Sequence, residues 1–446
     1  MTGDFQAATP SPSVPAPAPA VIPLRGGTRW IEPWYAAYAI LGALVAGAAV
    51  ILIPLAVVNN GGSATQIGTA IAAQNFGALF APAWGWFSDR FKDYRPVFFG
   101  GFLLIAGGFL LLALVPSAGA WLGGSFLIGF GTGASNTVAS LFVVEFTPAY
   151  EWGQRISWLQ TFNAMGAVLG MAGAGLLRPQ LGMEAAALLV VPALIVGGWG
   201  LPVPGGPFHR PHFRIFSRAD AAGMVRRIEP LTGSVIGRLH SFHLIDLKVV
   251  GASLKTPFGT FLAGWFLFSL AISSFSSLYP VLMRTEFSFT VTRSSFLLSA
   301  ATALSIPLYN FAGRLTTRRG PVAVLRIGLA VRFAALGGLG LLGFFKLASP
   351  ALPVILLFGS FQGIWPLLSV ASNDLSAALA PFGKGAAMGL FNAAGAIASA
   401  AGAIAGGAMA DRFGYSSASL LAAVGTAAAF VCVCRLRAPA EPEGGP

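Results

Sequence analysis

The stretch that decides the fold is Gly85-Trp86-Phe87-Ser88-Asp89-Arg90-Phe91-Lys92-Asp93-Tyr94-Arg95-Pro96. It separates two long apolar segments and places five charged residues between positions 89 and 95. The hydrocarbon core of a bilayer does not tolerate that density of charge, so the stretch predicts a loop at a membrane face. Three of the five charges are Lys or Arg, which favours the cytoplasmic face.

The composition is that of an integral membrane protein. Of 446 residues, 55% are hydrophobic and 9% are charged, whereas a soluble domain carries about 25% charged residues. The net charge of +12 would suggest nucleic acid as a partner of a soluble protein. Here the basic residues lie in short loops between apolar segments, so we expect the lipid bilayer as the partner, and no nucleic acid.

Twelve stretches are long and apolar enough to cross a bilayer, which takes about 20 residues. They are 34–58, 67–87, 97–115, 121–144, 156–177, 184–201, 258–283, 295–313, 322–344, 353–375, 386–409 and 416–434. The chain therefore divides into a disordered Pro/Ala-rich tail (1–33), a six-helix half (34–201), a polar central loop (202–257), a second six-helix half (258–434) and a tail (435–446).

The distribution of basic residues predicts the orientation. With the N-terminus inside, the inner segments hold 20 Lys and Arg residues and the outer loops hold five. The sequence therefore predicts a multi-pass protein of the inner or plasma membrane, with both termini and the central loop in the cytoplasm.

The two halves repeat one another. A shift of 229 residues places Phe162–Ala167 on Phe391–Ala396, and a shift of 228 places Gly85 on Gly313 and Arg90 on Arg318. Several matches near one offset, in corresponding helices, indicate a duplicated six-helix unit. Parallel repeats of this kind are typical of one large class of secondary transporters.

The opening stretch, with its Gly-x-Phe-Ser-Asp-Arg core, resembles the loop between helices 2 and 3 of the major facilitator superfamily. It departs from the family at Lys92-Asp93-Tyr94-Arg95, where Gly-Arg-Arg or Gly-Arg-Lys is usual. The resemblance implies an all-α membrane fold of twelve transmembrane helices in two pseudo-symmetric halves. It also implies transport of a small molecule by alternating access.

The resemblance further implies a charge network that holds the halves together at the inner face. Its core would be Asp89, Arg90 and Glu145, and Asp374 with Lys384 and Arg318 would form a weaker second network. The full set of gating candidates is Gly85, Asp89, Arg90, Glu145, Arg155, Arg318, Asp374 and Lys384. The alternative is that these charges are solvated and only orient the protein.

Polar side chains inside the spans are the candidates for solute binding. They are Gln74, Asn75, Asn136, Gln160, Asn163, Tyr279, Tyr309, Asn310, Gln362, Trp365 and Asn392, beside the less specific Tyr38, Ser273 and Ser274. Each could instead be a hydrogen-bonding contact between helices. Arg332 is a charge about ten residues into the ninth span. We expect it to extend to the membrane surface or form a structural pair, with contact to an anionic solute as the alternative.

These features favour a secondary active or facilitative transporter of a small organic solute. Export of metabolites or drugs, with proton coupling or as a uniporter, is one hypothesis within transport, and nutrient import is the alternative. A non-transporting assembly or sensor protein is the alternative outside it. We expect a monomer that is not an enzyme, with no catalytic residues, no cofactor and no metal site.

Overall fold

A computed structural model of the chain describes residues 31–91, 94–147, 152–177, 184, 186–188, 191, 256–346, 351–380 and 384–436. In these ranges all regular secondary structure is helical. This is the expected outcome for apolar segments that must satisfy their own backbone hydrogen bonds in lipid. The predicted all-α class is confirmed.

The first half consists of α1 (Tyr35–Asn59), α2 (Ala64–Ala78), α3 (Ala81–Phe91), α4 (Arg95–Leu114), α5 (Ala118–Phe146) and α6 (Trp152–Leu176). The second half consists of α7 (Pro257–Ser276), α8 (Tyr279–Thr285), α9 (Val291–Arg319), α10 (Pro321–Phe344), α11 (Ala351–Gly363), α12 (Trp365–Ala378), α13 (Lys384–Phe413) and α14 (Tyr415–Cys434). Within α1, the segment Gly42–Ala49 is π-helical.

Eleven of the twelve predicted spans coincide with these helices. By length and composition alone, eight helical spans in the described ranges could cross a membrane, or nine if the bent helix α9 counts as one. The sixth predicted span (184–201), the central loop and the N-terminal tail lie almost wholly outside the described residues. The domain boundaries between the two halves therefore stay predictions.

Three predicted spans are each split into two helices. In each case a proline is the second residue after the break: Pro82 in α3, Pro280 in α8 and Pro366 in α12. Proline has no N–H group to continue the hydrogen bonding of the preceding helix, but it fits well in a first turn. The breaks before Pro280 and Pro366 lie beside the cavity described below, where interrupted helices expose backbone and side-chain polar groups.

Candidate functional site

A cavity of about 350 Å³ lies between the two halves. The first half contributes Val50, Ile71, Gln74 and Asn75 to its wall. The second half contributes Trp265, Phe268, Ser269, Ile272, Ser273, Ser276, Ser277, Trp365 and Ser399. Gln74 is ten residues from the start of α2, about 15 Å along the helix, which places the cavity near mid-span.

Helical periodicity brings the polar side chains of the cavity together. Ser269, Ser273 and Ser276 recur at four- and three-residue intervals on one face of α7, and Ser277 follows at its end. Gln74 and Asn75 follow Ile71 by three and four residues on α2. Residues at these spacings share a helix face, so each half presents one polar stripe to the same space.

The lining combines hydrogen-bonding groups with aromatic surfaces. The amides of Gln74 and Asn75 both donate and accept, as do the serine hydroxyls. Trp265, Phe268 and Trp365 provide apolar surface beside them. Pockets of this mixed character and size suit a small organic solute with both polar and apolar parts.

The cavity is closed at one end by direct contact between α2 and α13. The Asp411 carboxylate accepts hydrogen bonds from the backbone N–H groups of Ala64 and Thr65, each 2.8 Å long. These groups belong to the first turn of α2, where unpaired N–H groups and the helix dipole favour a carboxylate. Nearby, Arg284 Nη1 donates to Asn59 Oδ1 at 3.2 Å.

A second contact between the halves joins α6 to α9 toward the same end. Thr292 Oγ1 donates to the carbonyl of Gly175 at 2.7 Å. Ser299 Oγ donates to the carbonyl of Val168 at 2.8 Å. Across the part of the chain that the structure describes, the hydrogen bonds between halves all lie toward the end opposite Tyr35.

Comparison with known proteins identifies this architecture. A family model described as Major Facilitator Superfamily matches residues 34–382 and 264–446. The chain belongs to the Major Facilitator Superfamily. The resemblance drawn from the opening loop and the repeat is thus confirmed.

Solved structures of other members share the fold. The nucleoside transporter NupG superposes with a TM-score of 0.71 at 13% sequence identity. The superposition covers 91% of this chain and 98% of the NupG chain. The D-xylose–proton symporter superposes with a TM-score of 0.65 at 14% sequence identity, over 91% of this chain and 98% of the symporter. A bacterial homologue of the human lysosomal transporter Spinster superposes with a TM-score of 0.66 at 12% sequence identity, over 91% of this chain and 96% of the homologue. No protein of curated function matches the chain by sequence.

Three of the predicted binding residues of this superfamily member line the cavity: Gln74, Asn75 and Trp365. Of the less specific candidates, Ser273 also lines it. These residues lie at a similar depth in the bundle on α2, α7 and α12, so the packing of the three helices brings them to one space.

Asn136 and Asn163 make hydrogen bonds within the first half. Tyr38 donates its hydroxyl to Asn136 Oδ1 at 2.9 Å. Asn163 Nδ2 donates to the backbone carbonyl of Tyr38 at 3.4 Å. Both amides thereby connect α1 to its neighbours, which is the packing alternative considered for such residues.

Tyr279 and Gln362 are engaged within the second half. Tyr279 donates its buried hydroxyl to the carbonyl of Ser294 at 2.8 Å and stacks on Phe358 with ring centroids 4.5 Å apart. Gln362 Nε2 donates to Thr302 Oγ1 at 3.4 Å.

The remaining binding candidates lie elsewhere. Gln160, Tyr309 and Asn392 are exposed and are not part of the cavity wall. Tyr309 nevertheless contacts Trp365 of that wall, and Gln160 contacts Tyr38. The side chain of Asn310 lies outside the described residues. The symmetry mates Asn163 and Asn392 thus occupy different surroundings despite their equivalent sequence positions.

Half of the eight gating candidates have side chains outside the described residues: Asp89, Arg90, Glu145 and Lys384. Arg155 forms an ion pair with Glu32, a partner that was not predicted. Arg318 and Asp374 are both exposed and are not paired with one another. A Cβ at Gly85 would meet the Thr137 methyl group at 3.5 Å, an ordinary contact, so this position is not crowded.

Arg332 is a buried charge and does not extend to the membrane surface, which was one of the two placements expected for it. Its side chain is only 2% exposed. The guanidinium faces three aromatic rings, from Phe268, Phe361 and Trp365, instead of an acidic partner. Packing of α10 against α12 in the second half holds it inside the bundle.

Sequence reasoning missed part of the cavity wall, chiefly Trp265, Phe268, Ser269, Ser276, Ser277 and Ser399. A signal was present in the serines of α7, whose four- and three-residue spacing continues the stripe that begins at Trp265. Trp265 and Phe268 gave no comparable signal, because aromatic residues in an apolar span usually pack against other helices or lipid.

Proposed function

We propose that the chain is a secondary transporter that carries a small organic solute across the membrane by alternating access. The observation that carries the proposal is the polar and aromatic cavity near mid-span, formed by both halves and closed toward one end. Rocking of the halves around such a site would expose it to each side in turn.

The excess of basic residues in the inner segments supports a cytoplasmic position for the two termini. With the termini in the cytoplasm, the end closed by Asp411 faces outward. The Spinster homologue to which the chain is similar was solved in an inward-facing and occupied conformation. We also assign the protein to an inner or plasma membrane and, from its family, classify it as a carrier and not an enzyme.

The cavity supports transport over an assembly role, because a polar space between the halves suits the passage of a solute. A sensor that binds its ligand without moving it is separated from a transporter by the flux measurement below. Export of a metabolite or drug is the first hypothesis for direction, and nutrient import is its alternative. The similar NupG and D-xylose symporter are named for a nucleoside and a sugar. Such polar organic solutes are of a size that the cavity accommodates.

Proton coupling is one hypothesis within the proposal, and uncoupled transport is its alternative. The test is flux of a mixed panel of metabolites and drugs into proteoliposomes, with and without an imposed pH gradient. Accumulation that depends on the gradient would support coupling, and equilibration alone would support a uniporter. Absence of flux for all solutes, in folded protein, would contradict transport.

Replacing Gln74 by leucine should reduce flux of the transported solute about tenfold, since a lost hydrogen bond in a desolvated site costs about 1–3 kcal/mol. The leucine conserves volume, so the cavity keeps its shape. The measurement is initial uptake rate in proteoliposomes.

Asn373→Leu is the matched control, because Asn373 is exposed on α12 and bonds only to the Ser369 carbonyl of its own helix. It also removes one amide from the bundle, and uptake should stay near the wild-type rate. Equal uptake by the Gln74 variant and wild type would remove Gln74 from the site.

A further inference from the structure

Arg332 is a buried cation at the centre of the second half. It is eleven residues from the start of the 24-residue helix α10, about 17 Å from that end. Its side chain is 2% exposed. A cation at such a depth carries a large desolvation cost unless something compensates its charge.

The guanidinium lies directly behind the wall of the cavity. Its central carbon is 4.3 Å from the ring centroid of Phe361, 5.3 Å from that of Trp365 and 5.5 Å from that of Phe268. Phe268 and Trp365 are themselves part of the cavity lining. Only the thickness of these rings separates the charge from the space where a solute would bind.

The protein compensates this charge incompletely. Nε and Nη1 of Arg332 have no hydrogen-bond partner, and within the described ranges no carboxylate lies at ion-pair distance from it. The three rings stabilise a cation through their quadrupoles, but they add no negative charge. Arg326, six residues earlier in α10, differs because its Nη2 donates to the carbonyls of Val433, Cys434 and Leu436.

We propose that Arg332 makes the cavity selective for an organic anion: an amphipathic solute that carries one carboxylate or similar group beside an apolar or aromatic body. The anion supplies the missing negative charge, and Trp265 and Phe268 contact the body. This inference rests on the proposed function of the same cavity. It names the class of solute that the cavity binds.

The expected preference follows from the distance between the charges. At a separation of roughly 9 Å and an effective dielectric constant of about 20, attraction to Arg332 should favour an anion over its uncharged analogue by about tenfold or more. A cationic analogue should bind more weakly than the uncharged one by a similar factor. The aromatic rings keep water out of the intervening space, so added salt should change this preference little.

The test uses three solutes of matched shape: 4-nitrobenzoate, 4-nitrobenzamide and 4-nitrobenzylamine. Each quenches tryptophan fluorescence, and Trp265 and Trp365 lie in the cavity wall. Binding is titrated with the purified full chain. We expect wild type to bind the benzoate about tenfold more tightly than the benzamide, and the benzylamine most weakly.

In Arg332→Met the benzoate and the benzamide should bind equally, with the benzamide affinity unchanged. Arg332→Lys should keep part of the preference. Arg326→Met, which removes a charge from the same helix but away from the cavity, should keep all of it. If Arg332→Met does not fold, Arg332→Gln, which also removes the charge, takes its place.

Equal binding of benzoate and benzamide to wild type would overturn the inference, as would a preference that persists in Arg332→Met. Failure of all three probes to bind would overturn it too. None of these results would contradict transport itself, since flux of uncharged solutes in proteoliposomes tests that separately. If Arg332 and the rings of Phe268, Phe361 and Trp365 have only a structural role, Arg332→Met should be less stable than wild type. Its preference for the benzoate over the benzamide should then be unchanged.

Discussion

Gly166→Ala should destabilise the folded protein severely. A Cβ at Gly166 would lie 1.8 Å from the carbonyl oxygen of Ala39 in α1, a distance that real atoms do not reach. The obstructing atom belongs to the backbone, so relief requires α6 to move away from α1. Overpacking of this kind costs about 1–3 kcal/mol and occasionally more. We expect an apparent melting temperature lower by a few °C, or loss of folded protein where the cost exceeds this range.

Gly173→Ala is the matched control in the same helix. A Cβ at Gly173 would have no atom within 4 Å outside its own helix, so the added methyl group meets open space. Both substitutions raise helix propensity by about 1 kcal/mol, and the difference between them isolates the contact with α1. Thermal unfolding followed by fluorescence-detected size exclusion measures both variants. Equal stability would show that α6 and α1 are less closely packed than the structure indicates.

The fold was predictable from sequence because the bilayer leaves few choices. A segment of about 20 apolar residues in lipid must form a helix, and eleven predicted spans are helices here. The breaks in three of the spans could also have been predicted, because Pro82, Pro280 and Pro366 lie within apolar segments. The lengths of the predicted spans differ from the helices because helices such as α9 and α13 continue past the apolar region into polar residues.

The site was less predictable, since a polar residue in a span has two common roles that sequence alone does not separate. Gln74 and Asn136 are both amides in apolar helices, yet Gln74 faces the cavity and Asn136 binds Tyr38. The difference lies in how each helix is rotated in the bundle, which depends on packing contacts far away in the chain. Arg332 illustrates the same limit: its depth was evident, but its aromatic neighbours come from three separate helices.

Asp411→Ala should shift the protein toward the conformation that is open at the Asp411 end. Asp411 joins the halves by accepting hydrogen bonds from the N–H groups of Ala64 and Thr65. A hydrogen bond to a charged group contributes about 1.5–3 kcal/mol, and less when exposed as this carboxylate is. Loss of both bonds should change the ratio of the two conformations about tenfold or more.

Gly407→Leu should produce the same shift by a different cause. A Cβ at Gly407 would lie 2.4 Å from the Ala64 carbonyl oxygen, so a side chain there forces α13 away from α2 at the same contact. Agreement between a variant that removes an attraction and one that adds a clash would assign the effect to the α2–α13 contact itself.

The measurement is the distance between spin labels attached through Val115→Cys and Phe345→Cys, in a background of Cys432→Ser and Cys434→Ser. Val115 and Phe345 are exposed at the Asp411 end, one in each half. Opening there should lengthen the distance in Asp411→Ala and in Gly407→Leu. Glu286→Gln removes a carboxylate from the same end without touching the first turn of α2, and should leave the distance unchanged. Identical distance distributions for wild type and Asp411→Ala would mean that other contacts hold this end closed. The bonds that α9 donates to the Val168 and Gly175 carbonyls would then be the first to test.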